Sequence, residues 1–466
     1  MSKTFQYSLP LFLIAASGCV SYSPKPVNMD SVRRAFAERA VTPPLATVNT
    51  AAGPPFDLAD GLSVSEAEGL ALVFNTDLRA ARAIAGVSLA NAENAGRWAD
   101  PTFGVDLTRI LASVDEPWEL GIPVGLTLPI SGRLRAEKKL AGAEHDAELV
   151  RVFADEWSTR IRVRVLWARW AAATDRAQSL RDFVGRYSEV STVIDALESS
   201  GEMPRTEARL FRLDDVTRRA ELVAAEAGIE AARLEILATI GLPPVSGIVM
   251  VHESLVAATN TTTSGSASGL DRAFAQNTSL AVARAEYEVS ERRLATEVRA
   301  QYPDLTLTGG YGNEDGNDRI ITGVGTVLPL WNRNRQGVAR ASAMREAASI
   351  RLEAAAERLE GEYAAAIAAA SAADRERDLI EGGLLPLVEQ QVTDIRAVTR
   401  LGEVNALVLL ETLSRRLEAD LSRARAKEAA AIGQLRVIEI EGPPTEPDPQ
   451  PEPGASTAVL PPVDNG

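Results

Sequence analysis

Residues 120–135 read LGIPVGLTLPISGRLR, and residues 320–335 read IITGVGTVLPLWNRNR. In the first, Leu120, Ile122, Val124, Leu126, Leu128 and Ile130 alternate with Gly121, Pro123, Gly125, Thr127 and Pro129. In the second, Ile320, Thr322, Val324, Thr326, Leu328 and Leu330 keep the same parity. A period of two residues marks a strand with one apolar face. Each strand closes on a Leu-Pro pair and gives way to a polar, Arg-bearing stretch that opens a long helical pattern. Pro129 and Pro329 stand 200 residues apart.

Other landmarks repeat at nearly the same offset: Asn75-Thr76 at Asn277-Thr278, Pro101 at Pro303, Gly201 at Gly402, and Pro243-Pro244 at Pro443-Pro444. A fixed internal offset is the mark of a duplicated unit. The expected organisation is repeat 1 over 61–244 with strands at about 102–110 and 120–130, and repeat 2 over 269–442 with strands at about 304–311 and 319–330. A low-complexity linker, 245–268, joins them. The tail, 443–466, holds eight prolines in 24 residues and reads as disordered.

Helical spacing predicts helices over 62–98, 132–199 and 204–240, and again over 270–300, 332–400 and 403–440. Leu180, Phe183, Tyr187, Val190, Ile194 and Leu197 keep the 3.5 period of a coiled-coil seam. In each half the two shorter helices together match the long one, which at 1.5 Å per residue spans roughly 100 Å. The economical packing lays the short helices end to end beside it. Gly382, Gly383 and Pro386 are expected to loosen the second long helix. The fold class is therefore mainly α with a small β part. Apolar residues make up 45% of the chain but aromatics only 5%, which favours closely packed helices rich in small side chains.

The N-terminus carries Lys3, an apolar run over 9–16, then Ser17-Gly18-Cys19. This is the layout of a signal peptide, 1–18. The run is shorter than the ~20 residues a spanning helix needs. Cys19, the only cysteine, excludes an intramolecular disulfide. Small residues before a lone cysteine resemble a bacterial lipoprotein signal, with Cys19 as the lipidation site, although Ala16 stands where that signal usually has Leu. Residues 19–60 read as an extended lead-in. A net charge of −15 argues against a nucleic-acid partner. His145 and His252 are the only histidines, and no spacing suits a metal, a cofactor or a catalytic set, so no enzyme is expected.

Four strands cannot close a barrel, for which about eight are needed. Open edges are not tolerated in lipid, so several copies must pool their strands. The duplicated helix–strand–strand–long helix–helix plan resembles the outer membrane factor family typified by TolC, over about 61–442. The motifs Ile130-Ser131-Gly132-Arg133 and 329–337 (PLWNRNRQG) are similar to its heavy-metal subgroup, the CzcC-like branch. The resemblance implies a homotrimer with a twelve-stranded barrel in outer-membrane lipid and a helical tunnel in the periplasm of a Gram-negative envelope. It implies two partners, a periplasmic adaptor protein and an inner-membrane pump of the RND type. The function implied is a passive exit duct for small molecules or metal ions.

By the same resemblance, Ser200, Gly201, Glu202, Leu401, Gly402 and Glu403 form adaptor-contacting tips. Glu411 rings a periplasmic gate, with Val408 where the family also has an acid. Pro129, Gly132, Arg133, Pro329, Asn332, Arg333 and Asn334 form the turn from strand to helix. Two alternatives stay open at this stage: an exit channel for secreted proteins, and a lipid-anchored envelope scaffold that forms no channel.

Overall fold

The computed structural model of the chain describes residues 22–39, 60–109, 111, 118–245, 247–253, 267–314, 317–400 and 406–444. Residues 1–18 with Cys19, residues 112–117, most of the expected linker, Leu401, Gly402 and Glu403 of the expected tip, and the tail beyond 444 lie outside these. The chain divides into two units, Met1–Thr42 and Pro43–Gly466.

The first unit contains one described helix, α1 (Met29–Ala37), which corrects the reading of 19–60 as extended throughout. Asn28 starts it by accepting from the backbone N–H groups of Asp30 and Ser31, at 2.9 and 3.2 Å. Nine residues hold too few turns for periodicity to stand out in the sequence.

In the second unit one order of elements occurs twice. It runs α2 (Val64–Phe74), α3 (Thr76–Asn94), β1 (Thr102–Phe103), β2 (Asp106–Arg109), β3 (Trp118–Leu128), α4 (Arg133–Ser200) and α5 (Arg205–Ile240). It then runs α6 (Ala267–Gln276), α7 (Thr278–Arg299), β4 (Leu305–Glu314), β5 (Asn317–Thr326), α8 (Arg335–Leu379), a π turn (Ile380–Leu384), α9 (Leu385–Arg400) and α10 (Ala406–Glu441). The π turn falls on Gly382 and Gly383, where the sequence predicts loosening; the first long helix, α4, runs 68 residues without a break.

Two helices predicted as single pieces are broken, at Asn75 and at Asn277, and the same device breaks both. Asn75 leaves the helical region at φ −54°, ψ 129°. Its Oδ1 accepts from the N–H groups of Asp77 and Leu78, each at 2.9 Å, so it caps α3. Its Nδ2 donates to the Thr239 carbonyl at 2.7 Å, at the far end of α5. Asn277 accepts from the Leu280 N–H and donates to the Ile440 carbonyl, each at 2.9 Å. Each Asn thus fixes where one short helix starts against the place where the other stops. The chain then reverses at Gly241 (φ 89°) and Gly442 (φ 86°). A Cβ on Gly241 would run into the Phe74 carbonyl, and one on Gly442 into that of Gln276.

The helices pack through small residues and a few large ones. Gly433 of α10 lies so near α8 that an added Cβ would stand 3.0 Å from the Ala370 Cα. Near the Gly201 turn, Leu180, Phe183, Tyr187 and Ile194 of α4 close on Ala208 and Phe211 of α5 and Leu417 of α10. The Tyr187 hydroxyl donates to the Phe211 carbonyl at 2.9 Å. Burial first, and then Asp214 and Asp215, push that phenol well above its ordinary pKa. Nearer its start α4 is less regular. Trp157 and Ile161 are buried, but Phe153 points outward at 51% exposure.

Gly241→Ala and Gly442→Ala are expected to destabilise the protein by about 2 kcal/mol or more, since each adds a backbone collision to left-handed strain. Gly201 (φ 81°) has open space around it, and Gly201→Ala should cost only about 1 kcal/mol. Denaturant unfolding followed by tryptophan fluorescence measures the difference. Equal losses at all three positions would remove the clamp from the account.

Candidate functional site

The strands form one antiparallel sheet in which β3 and β4 are central. Opposite residues of an antiparallel pair share a face, so the register assigns every side chain. Phe103 lies opposite Val124, Leu107 opposite Leu120, and Arg109 opposite Trp118. Ile122 lies opposite Tyr311, Leu126 opposite Leu307, and Leu128 opposite Leu305. Leu307 then faces Val324, and Tyr311 faces Ile320. All of these stand on one side. The other side carries Thr102, Asp106 and Thr108 on the first strands, Glu119, Gly121, Gly125 and Thr127 on β3, Thr306, Thr308, Gly310 and Gly312 on β4, and Arg319, Gly323 and Gly325 on β5. Pro123 and Ile321 are the apolar exceptions there, and Asn313, Asp318 and Thr322 are polar residues on the apolar side.

The apolar side is uncovered. Phe103, Leu107, Val124, Ile320 and Val324 are 62%, 64%, 45%, 86% and 72% exposed. Strands of ten or eleven residues are ~35 Å long, the length that crosses a bilayer when tilted. Among the described residues β1 and β2 pair only with β3, and β5 only with β4. Both outer edges of the sheet are therefore open.

Partners, not propensity, set the strand ends. The first strand, expected to be continuous over about 102–110, is split at Gly104. The Gly104 N–H reaches the Pro123 carbonyl at 2.9 Å, but Pro123 has no N–H to return. The second strands are shifted from the expected 120–130 and 319–330 to Trp118–Leu128 and Asn317–Thr326. β5 stops at Thr326 because its partner β4 begins at Leu305, the last paired residue. β4 runs on to Glu314, beyond the expected 311, because β5 matches it to Asn317.

The two turns from strand to helix are built differently. After Pro129, Gly132 (φ 74°) reverses the chain and Arg133 opens α4. The buried Ser131 donates to Asp304 Oδ1 at 2.7 Å and accepts from the Arg133 N–H at 3.2 Å. Arg133 lies 3.8 Å from the other Asp304 oxygen and 2.6 Å from Glu137. After Pro329 the left-handed residues are Arg333 (φ 44°) and Asn334 (φ 50°). Asn332 accepts from the Arg335 N–H at 2.9 Å. Asn334 Nδ2 donates to the Glu297 carbonyl and carboxylate, at 2.9 and 2.6 Å. Asp304 and Glu297, which hold these turns from across the chain, were not singled out by sequence. Asp304 follows a landmark, Pro303, and that was the available signal.

At the other end of the helices, Gly201 closes α4 with the Glu202 and Met203 N–H groups both on the Leu197 carbonyl at 3.0 Å. Ser200 donates to the same carbonyl at 3.1 Å. Arg212 ties α5 back to Asp195 and Glu198 of α4. Glu411 is 61% exposed and pairs with Arg415 one turn on, at 2.7 Å. Val408, three residues before Glu411, is also exposed. The two histidines sit apart: His145 beside Ser88 at 3.0 Å, and His252 beside Asp175 at 3.0 Å. Among the described residues no three His, Cys, Asp or Glu side chains gather as metal ligands, and no helix is long and apolar enough to cross a membrane.

No protein-family model and no curated protein matches the chain in sequence. Solved structures do. CusC, studied for the conformational changes of its folding and transmembrane channel formation, is 14% identical, with 81% of this chain covering 92% of that one at a TM-score of 0.69. The CmeC outer membrane channel of Campylobacter jejuni is 14% identical, with 85% of this chain covering 91% of that one at 0.66. The open state of the MtrE outer membrane channel of Neisseria gonorrhoeae is 16% identical, with 81% covering 89% at 0.64. The chain has the fold of these channels over four fifths of its length.

Charge on the two sides of the sheet should act differently. Val124→Arg puts a cation on the apolar side near mid-strand and is expected to cost about 2–4 kcal/mol and most membrane insertion. Thr308→Arg, on the opposite side in the next row, should insert normally. Fractionation of outer membranes with heat-modifiability gels measures both. Equal insertion of the two variants would contradict the assignment of faces.

Proposed function

We propose that the chain is the outer-membrane exit duct of a tripartite efflux system. The observation that carries the reading is the sheet: one uncovered apolar face, one face of Thr, Gly and charge, and an open edge on either side. An apolar outer face and a polar inner face are what a barrel wall needs in lipid. Three copies, each adding its first strand to a neighbour's β5, would supply twelve strands and leave no edge. Inner-membrane pump and adaptor partners are supported by the channel fold; the RND type of the pump and the metal-exporting branch are part of the proposal. In it, the adaptor meets the turns at Gly201 and Gly402, and Cys19 carries the lipid anchor.

Export through such a duct involves no bond making. The protein contributes a water-lined path through lipid and periplasm, and the pump supplies the work. At the gate assigned to Glu411 the charge is reduced, since Arg415 stands between Glu411 and Glu418. In this reading selection of cargo rests on the pump.

Purified protein in detergent should be a trimer and should give stepwise conductance in planar bilayers. A folded monomer that makes no pores would overturn the proposal. In the same bilayers, Glu411→Gln removes one of the two carboxylates that face Arg415, so the reversal potential in a KCl gradient should move toward chloride. An unchanged potential would place Glu411 away from the conducting path.

A further inference from the structure

We infer that α1 is a membrane-surface helix, seated on anionic phospholipid at the periplasmic side of the outer membrane. On a helical wheel Met29, Val32, Ala35 and Phe36 fall within one third of the circumference, while Asp30, Ser31 and Arg34 fall on the other side. No residue of the helix is buried, and Met29 and Val32 are 70% and 49% exposed. Arg39 lies over the Phe36 ring at 5.1 Å, an arrangement that lets its charge reach water while its stem covers the ring. A nine-residue helix is marginal in water, and the Asn28 cap alone does not supply what packing normally does. An apolar surface under Met29, Val32 and Phe36 would.

Charge decides which surface. Lys25, Arg33, Arg34 and Arg39 outnumber Asp30 and Glu38 in a chain whose net charge is −15. The acidic body of the protein repels an anionic bilayer, whereas this segment is drawn to it. The tether agrees: ten residues separate Met29 from Cys19, at most about 35 Å of extended chain. A lipid at Cys19 would therefore keep the helix at the bilayer. Seated so, the apolar arc lies about 5–10 Å into the headgroup boundary.

The inference rests on the outer-membrane reading and is separable from it. Nitroxide labels are placed singly at Val32→Cys, Arg34→Cys and Phe36→Cys in the full-length protein. Each variant is reconstituted in vesicles of phosphatidylethanolamine and phosphatidylglycerol, and conductance is recorded on the same preparations. The labels at 32 and 36 should collide severalfold more with oxygen, which concentrates in lipid, than with a water-soluble nickel chelate. The label at 34 should show the reverse. Arg33→Ser with Arg34→Ser should move label 36 toward water. Conducting vesicles in which labels 32 and 36 meet the nickel chelate as freely as label 34 would overturn the inference. So would labels shielded from both quenchers, which would mean a protein covers this face.

Discussion

A backbone N–H or C=O group facing hydrocarbon without a partner costs several kcal/mol, because lipid offers nothing in exchange for lost water. Among its described residues this chain carries two rows of unpaired edge groups, along β1–β2 and along β5, beside an exposed apolar face. No other described strand pairs with either edge. In the proposed membrane setting the sheet alone is an incomplete object, and hydrogen-bond accounting is what makes the proposal call for further copies. Pro123 fits this scheme. Its missing N–H faces β1 and β2, so the central pairing of β3 with β4 runs unbroken while the outer strand takes the defect.

The helices are governed by a different requirement, that long rods lie close without drifting in register. Alanine and glycine at the contacts bring the rods together, as where Gly433 meets Ala370. Asn75 and Asn277 then fix the ends, each bonding one short helix to the terminus of the other. Gly241 and Gly442 permit the tight reversal that puts those termini in reach. The two halves share this clamp and differ elsewhere. Repeat 2 has a π turn where repeat 1 has continuous helix, and among the described residues α9 meets α10 through Val388, Val392 and Ala419, while Leu417 of α10 joins the aromatic cluster around Tyr187.

Period and turn residues are legible in sequence, whereas a short helix such as α1 and pairings between distant segments are not. Alternation in 120–130 and 320–326 depends on neighbours in sequence, so the inward and outward faces could be assigned before any register was known. Gly201 with Pro204 marks a helix reversal in a few residues. The break at Gly104 could not be seen there, because its cause sits at Pro123 on another strand. Asn75 and Asn277 were visible as repeated landmarks, yet the helices were run through them, since the carbonyls they bond lie more than 160 residues away. Asp304 holds Ser131 and Arg133 of the other half for the same reason: the pairing exists only once the two halves are side by side. The left-handed residues Gly132, Arg333 and Asn334 lie in stretches that mark themselves in sequence, whereas Asp304 and Glu297, which bond to those turns, do not.

The most direct measurement is disulfide scanning between the open edges. Single cysteines along 102–109 are coexpressed with single cysteines along 317–326 on separate copies, and outer membranes are oxidised. The account predicts cross-links between copies that recur every second residue and run up to a covalent trimer. Cross-links formed only within one chain carrying both cysteines, or none between copies, would mean that the sheet closes without neighbours and would contradict it.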